Sequence, residues 1–271
     1  MEYKHGPDSF EQEGVPRGSV TKFHWKSQFF RKETVRDYWV YVPSQYDETT
    51  PSGLMVFNDG HFYVDNSASF RVPTVFDNLI YQKRIPPLIG IFIEPGHSTD
   101  YSITDKPFRA SERSNEYDVL SEQYVRFLIE EMIPKVGEQY NLTDDPKMRG
   151  ICGISSGGIC AFTAAWERPD YFHKVMSHVG SFTDIRGGHV YPTLIRKSSK
   201  RDIRVFLQGG SNDMNVDWGN WWLANLQMES SLEFRGYDYK FVGGEGEHNG
   251  EHGGSILPES LEWLWRQHNE L

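Results

Sequence analysis

Between Arg149 and Glu167 a short apolar run ends in Gly153-Ile-Ser155-Ser-Gly157 and continues at once into a helix-forming segment from Ile159. A buried strand that turns into a helix over five residues must double back sharply. Glycines two positions either side of a serine remove the side chains that would collide in such a turn. The pattern Gly-x-Ser-x-Gly in this setting is the nucleophile elbow, which pushes a serine Oγ out above the end of a sheet. Centring the pattern on Ser155 keeps both glycines, Gly153 and Gly157, whereas centring it on Ser156 replaces the first by Ile154. Ser155 is therefore the expected nucleophile. The N–H of Ser156, at the positive end of the following helix, is the expected oxyanion donor. A Gly/Ser-rich phosphate loop is the competing reading, but no Gly-Lys-Ser/Thr follows.

The rest of the chain agrees with one α/β domain over 1–271, with residues 1–19 as a polar, Gly/Pro-containing arm. Strand-like segments are 22–30, 35–42, 54–58, 88–93, 148–154, 175–179, 203–208 and 237–242. Helical periodicity marks 75–82, 119–139, 159–167, 218–234 and 258–268. Residues 95–117 are polar and aperiodic, which predicts a functional loop. Alternation of strands and helices over the last two-thirds predicts a mostly parallel sheet covered on both faces, opened by an antiparallel pair at the N-terminal edge. A net charge of −10 argues against non-specific nucleic-acid binding and disfavours polyanionic substrates. No run of 18 apolar residues or apolar leader occurs, so the expectation is a soluble protein without a membrane span. Cys152 and Cys160 are expected to be small buried fillers.

A serine needs a base within hydrogen-bond reach and an acid to orient that base. Downstream of the elbow, the strand 203–208 runs into Gly209-Gly-Ser-Asn-Asp213, which places Asp213 just past a strand end. Asp213 is the chosen acid, with Asp217 and Asp184 as rivals. The base candidates are His248 and His252 in Gly243-Gly-Glu-Gly-Glu-His248-Asn-Gly-Glu-His252-Gly-Gly. The same residues spell His-x-x-Glu-His, a zinc signature only when both histidines share one face of a helix. The six glycines of this stretch make a helix improbable, so no metal and no cofactor is expected. Upstream, a strand ends in Asp59-Gly60-His61. A sharp turn there would aim the His61 N–H at the oxyanion.

Asp59-Gly60-His61, Gly153-Ile-Ser-Ser-Gly157, Asn212-Asp213 and Gly246-Glu-His248 together resemble the esterase branch of the α/β-hydrolases, over about residues 22–268. That branch includes enterochelin-esterase-like enzymes, feruloyl and acetylxylan esterases, esterase D and the antigen 85 mycolyltransferases. The resemblance implies the α/β-hydrolase fold and favours His248 over His252 as base, although Glu247 stands where a glycine is usual. It also implies the His61 N–H as an oxyanion donor, from the antigen 85 group.

The expected activity is therefore a cofactor-free serine ester hydrolase working through an acyl-enzyme. Its substrate would be a small-molecule or carbohydrate ester: an aryl or acetyl ester on polysaccharide, or a siderophore lactone. The alternatives are an acyltransferase using the same triad and a catalytically dead carbohydrate-binding protein on the same scaffold. Aromatics make up 14 % of the chain. Tyr101, Phe108, Tyr117, Trp218 and Trp221 are expected to frame a site suited to flat or ring-shaped groups. Asp59, Arg113 and His252 complete the expected substrate contacts, with Arg113 as an anion grip or, equally, as the partner of a nearby carboxylate. Oligomeric state and compartment are not encoded in any of these signals.

Overall fold

The computed structural model describes residues 2–30, 32–99 and 109–267. Tyr101, Phe108 and His268 lie outside the described residues. Chain order is β1 (Ser19–Ser27), β2 (Thr34–Val42), β3 (Gly53–Asn58), α1 (His61–Val64), α2 (Val72–Tyr81), β4 (Leu88–Ile93), β5 (His97–Ser98) and α3 (Arg113–Tyr117). A long helix follows in three parts: α4 (Gln123–Phe127), a π turn (Leu128–Met132) and α5 (Ile133–Gly137). Then come β6 (Arg149–Ile154), α6 (Ser156–Glu167), β7 (Lys174–His178), α7 (Tyr191–Lys197), β8 (Arg204–Gly210), β9 (Asn215–Val216), β10 (Gly219–Asn220), α8 (Trp221–Phe234), β11 (Asp238–Gly244), α9 (Glu251–Ser255) and α10 (Leu257–Trp265).

Eight strands form the path β1-β2-β4-β3-β6-β7-β8-β11, with β5 added against β2. The pairs β1–β2 and β2–β4 are antiparallel, and every pair from β4 to β11 is parallel. The expected fold class thus stands: an α/β fold with a mostly parallel sheet and an antiparallel N-terminal edge. Five of the inner strands, β3, β4, β6, β7 and β8, are buried at every position. Helices on both faces leave them no wet side. Alternation still sorts their side chains. Leu54, Val56, Ile151, Val175 and Val205 pack in one core with α4–α8, whereas Met55, Phe57, Cys152, Met176 and Phe206 pack in a second with α2 and α10.

Four local departures from expectation have physical causes. The long helix widens into a π turn where the Ile133 N–H reaches back to Leu128 O. Pro134 has no N–H and clashes with an i−4 carbonyl, and the π turn absorbs this. Helix α8 starts at Trp221 rather than 218, because Asn220 Oδ1 accepts from Leu223 N (2.9 Å) as the N-cap and Trp218 sits in the β9–β10 hairpin. The expected loop 95–117 contains β5 and α3. The glycine-rich 243–254 stretch does hold a short helix, α9, but His248 precedes it, so His248 and His252 share no helix face. The N-terminal arm is also held in place: Asn78 Nδ2 donates to Asp8 O (2.9 Å) and Phe10 O (2.8 Å), and Tyr3 stacks on His252.

Candidate active site

Strand β6 delivers Ser155 at φ 58°, ψ −122°, a conformation a serine adopts only under constraint. The constraint comes from its backbone. Ser155 N donates to His178 O (2.9 Å), and Ser155 O accepts from Gly158 N (2.9 Å) and Ser181 N (3.1 Å). A Cβ on Gly153 would lie 2.1 Å from Gly157 O, and one on Gly157 would lie 2.8 Å from Asp59 Oδ2. Gly153 is therefore required by sterics, and a side chain at Gly157 would push against the Asp59 carboxylate. The Ser156 N–H opens α6 and, as the first of its amides, has no intrahelical acceptor.

The acid and base arrive from neighbouring strands through a second close approach. The loop after β8 is zipped to the loop after β11 by Ser211 N to Gly244 O (2.8 Å), Asn212 N to Gly246 O (3.2 Å) and Asn212 Nδ2 to Glu245 O (2.7 Å). A Cβ on Gly210 would meet Gly246 O at 2.0 Å, so only glycine permits this contact. The result sets Asp213 Oδ1 2.6 Å from His248 Nδ1, and His248 Nε2 2.8 Å from Ser155 Oγ. A carboxylate only accepts, so Nδ1 carries the ring proton and Nε2 is left to accept from the serine. Asp213 has a fully buried side chain and also accepts from Met214 N at 2.6 Å. The rivals are elsewhere: Asp217 is exposed in the hairpin, and Asp184 is on the surface beside His189.

Several expected site residues take other places. The His61 N–H donates to Glu94 Oε1 at 2.7 Å, and His61 Nδ1 sits 2.9 Å from the same oxygen. The expected second oxyanion donor is thus committed to a carboxylate that β4 brings beside the end of β3. Burial pushes the Glu94 pKa above the usual carboxylate range, against the pull of His61. Tyr117 is fully buried and its hydroxyl accepts from Asp59 N (3.2 Å), so it supports the turn rather than facing substrate. Trp221 is buried too, its Nε1 donating to Ser181 Oγ (3.0 Å) and its ring edge-on to His248 at 5.7 Å. His252 is buried, bonded to Gln208 (3.1 Å) and stacked on Tyr3, away from the serine. Asp59 is fully buried and held by Arg113 through two bonds of 2.8 and 2.7 Å, which resolves the alternative for Arg113 in favour of an internal partner. Trp218 is exposed in the hairpin, at the surface.

Ser155 and His248 open into a cavity of about 470 Å³, also lined by Phe62, Phe70, Arg113, Ile154, Asn249 and Glu251. Two phenylalanines from the segment after β3 therefore supply the aromatic walls that the sequence reading placed on other loops. Sequence reasoning also missed Ser181, whose Oγ lies 3.2 Å from Ser155 Oγ. Nothing along the chain marks it: Ser181 lies just past the end of β7, and only the strand order puts β7 beside β6.

Similarity to known proteins follows the same outline. The chain is 27 % identical over 150 residues to the uncharacterized protein YbbA of Bacillus subtilis, covering 54 % of this chain and 57 % of that one. It is 24 % identical over 213 residues to the iron(III) enterobactin esterase of Escherichia coli O6:H1, covering 76 % and 48 %. The chain thus spans about half the length of these curated relatives. Among solved structures, the enterobactin esterase of Shigella flexneri superposes with a TM-score of 0.72 at 20 % identity, over 98 % of this chain and 63 % of that one. A ferulic acid esterase of Anaeromyces mucronatus superposes at 0.69 and 17 %, over 96 % and 94 %. At those identities the likeness is one of fold. The family model described as "Putative esterase" matches residues 32–256, most of the chain and all of the elements that carry Ser155, Asp213 and His248, and the chain belongs to that esterase family.

Proposed function

We propose that this protein is a serine carboxylic-ester hydrolase in which Ser155 is the nucleophile, His248 the general base and Asp213 the residue that orients it. The observation that carries this reading is the unbroken hydrogen-bond chain from Asp213 Oδ1 through His248 to Ser155 Oγ, at 2.6 and 2.8 Å, opening into a cavity. Ser155 Oγ attacks the ester carbonyl carbon as its proton passes to His248 Nε2. The imidazolium is held by Asp213, and the oxyanion is held by the Ser156 N–H at the start of α6. Collapse returns the proton to the departing alcohol and leaves an acyl-serine, which water releases by the same steps in reverse order. With the His61 N–H engaged by Glu94, the resting site offers Ser156 as its backbone donor. Recruiting His61 would require Glu94 to swing aside.

For substrate, the reading is an aryl or acetyl ester of a carbohydrate or a catecholate lactone. Phe62 and Phe70 give a cavity of this size flat apolar walls, and Arg113 and Glu251 give it polar edges. Relatives in sequence and fold are named for enterobactin and ferulic acid. The test pairs Ser155→Ala with Ser156→Ala on p-nitrophenyl acetate, then ranks methyl ferulate, acetylated xylan, enterobactin and p-nitrophenyl esters of rising chain length by kcat/KM. Ser155→Ala is expected to lose several orders of magnitude in kcat, on the order of 10⁴–10⁶, with Ser156→Ala retaining much of its activity. Fluorophosphonate labelling at another residue would reassign the nucleophile. A preference climbing steadily beyond octanoate would replace the aryl pocket with a lipid tunnel.

A further inference from the structure

The parallel strands have two ends, and the esterase reading uses only one. Lys174 begins β7, Arg204 begins β8, Lys147 lies just before β6, and Lys83 and Arg84 follow α2 on the way to β4. With Arg266 after α10, these six cations line a single cavity of about 880 Å³ at the N-terminal ends of the strands. A six-residue strand spans about 20 Å, so β6 separates this cavity from Ser155 by roughly that distance. In a chain of net charge −10, such a concentration of positive charge is not an average property of the surface.

Its arginines are engaged. Arg84 is paired with Asp8 and Glu262, and Arg204 and Arg266 share Asp238. The lysines are not: among the described residues, Lys83, Lys147 and Lys174 have no carboxylate within salt-bridge distance. Lys174 is the decisive one. It is only 6 % exposed, its Nζ donates to the Lys147 carbonyl and lies 5.0 Å from the Trp265 ring, and Asp145 and Asp238 act on its charge only from beyond salt-bridge distance. Burial, then the neighbouring Arg204, pushes its pKa down to about 8. A buried ammonium whose carboxylates stay out of contact is costly, and an anion bound directly to it lowers that cost. The preformed fork of Arg204 and Arg266 is held rigid from behind by Asp238, with Arg204 Nη1 also donating to Leu264 O (2.9 Å) and Arg266 O (2.7 Å). These guanidiniums therefore add fixed positive charge beside the lysines, and the lysine ammoniums are the point-charge donors for phosphate oxygens.

We propose that this cavity, at the N-terminal ends of the parallel strands and opposite the end that carries Ser155, is a binding site for an oligophosphate, either inorganic or the phosphate chain of a nucleotide. Three lysines without carboxylate partners match the two to three charges of a pyrophosphate unit. The site is independent of the ester chemistry, and its failure would leave that reading untouched.

Isothermal titration of the full chain at pH 7 with sodium pyrophosphate, tripolyphosphate and ADP tests the proposal, with sulfate at matched ionic strength as control. Saturable pyrophosphate binding is expected, weakened at least about tenfold by Lys174→Met, with p-nitrophenyl acetate hydrolysis unchanged. Because Lys174 is buried, the exposed double variant Lys83→Gln/Lys147→Gln serves as the second arm, and the same direction is expected there. ADP binding as tight as pyrophosphate identifies a nucleotide as the source, and ADP binding far weaker identifies the inorganic ion; both uphold the site. Sulfate binding equally tightly, no saturation, or an unaffected double variant overturns it.

Discussion

The Ser181 hydroxyl sits between two groups that matter to the nucleophile. It receives the Trp221 indole N–H at 3.0 Å and lies 3.2 Å from Ser155 Oγ, close enough to donate to it. Such a bond fixes the rotamer in which Ser155 Oγ–H faces His248, which makes Ser181 a positioning residue. Ser181→Ala is expected to lower kcat by about twofold to tenfold, the range of one hydrogen bond, with KM unchanged. Steady-state kinetics checks this, together with the rate of fluorophosphonate labelling, which should slow in parallel. No change in either rate removes Ser181 from the mechanism. Ser155 was legible in the sequence because its glycines are sequence neighbours, and Asp213 because it follows a strand end. Ser181 was not, since nothing along the chain says that β7 lies beside β6. Trp221 was read as a ring platform because composition shows that an aromatic is present and does not show which way it faces.

At the scale of the element, the elbow is a steric device as much as a catalytic one. Gly153→Ala places a methyl 2.1 Å from a backbone oxygen that cannot move without shifting the start of α6. Overpacking of this kind costs about 1–3 kcal/mol, and the loss of nucleophile geometry should exceed the loss of stability. Chemical denaturation and labelling kinetics on the same variant separate the two. Gly137→Ala is the control: nothing lies within 4 Å of its would-be Cβ, so it should be neutral or stabilising by up to about 1 kcal/mol. A Gly153→Ala protein as stable and as quickly labelled as the parent would contradict the steric account. Strand positions were legible to within a few residues, because inner parallel strands are unbroken apolar runs. Helix starts were less so. A hairpin of two-residue strands, β9 and β10, and an Asn220 cap moved α8 three residues, and Pro134 turned part of a regular helix into a π turn.

For the molecule as a whole, two buried imidazoles behind the elbow contribute to its response to acid, together with buried His97 and His173, whose pKa values burial also lowers. His178 is fully buried, its Nδ1 bonded to Tyr63 OH (3.0 Å), and burial, then His252, pushes its pKa down to about 3. Burial lowers the His252 pKa as well. In the unfolded chain both titrate near the ordinary value of 6.5. Between those values the unfolded state binds more protons, so stability falls as pH drops below about 6.5, by up to about 1.4 kcal/mol per pH unit for each imidazole. Denaturant titrations between pH 6.5 and pH 5 should show this limb, and His178→Gln should flatten it. Equal slopes would mean that His178 is charged in the fold. The sequence by itself determined the reaction centre's ingredients and the fold class, because a Gly-x-Ser-x-Gly turn and apolar runs are local patterns whose physics acts between neighbours along the chain. Only the tertiary structure decided that the His61 N–H is taken by Glu94, that Asp59 and Arg113 satisfy one another inside, and that Lys83, Lys147 and Lys174 converge across about 90 residues. Contacts of that kind depend on which strand lies beside which, and a net charge of −10 is a sum that carries no position.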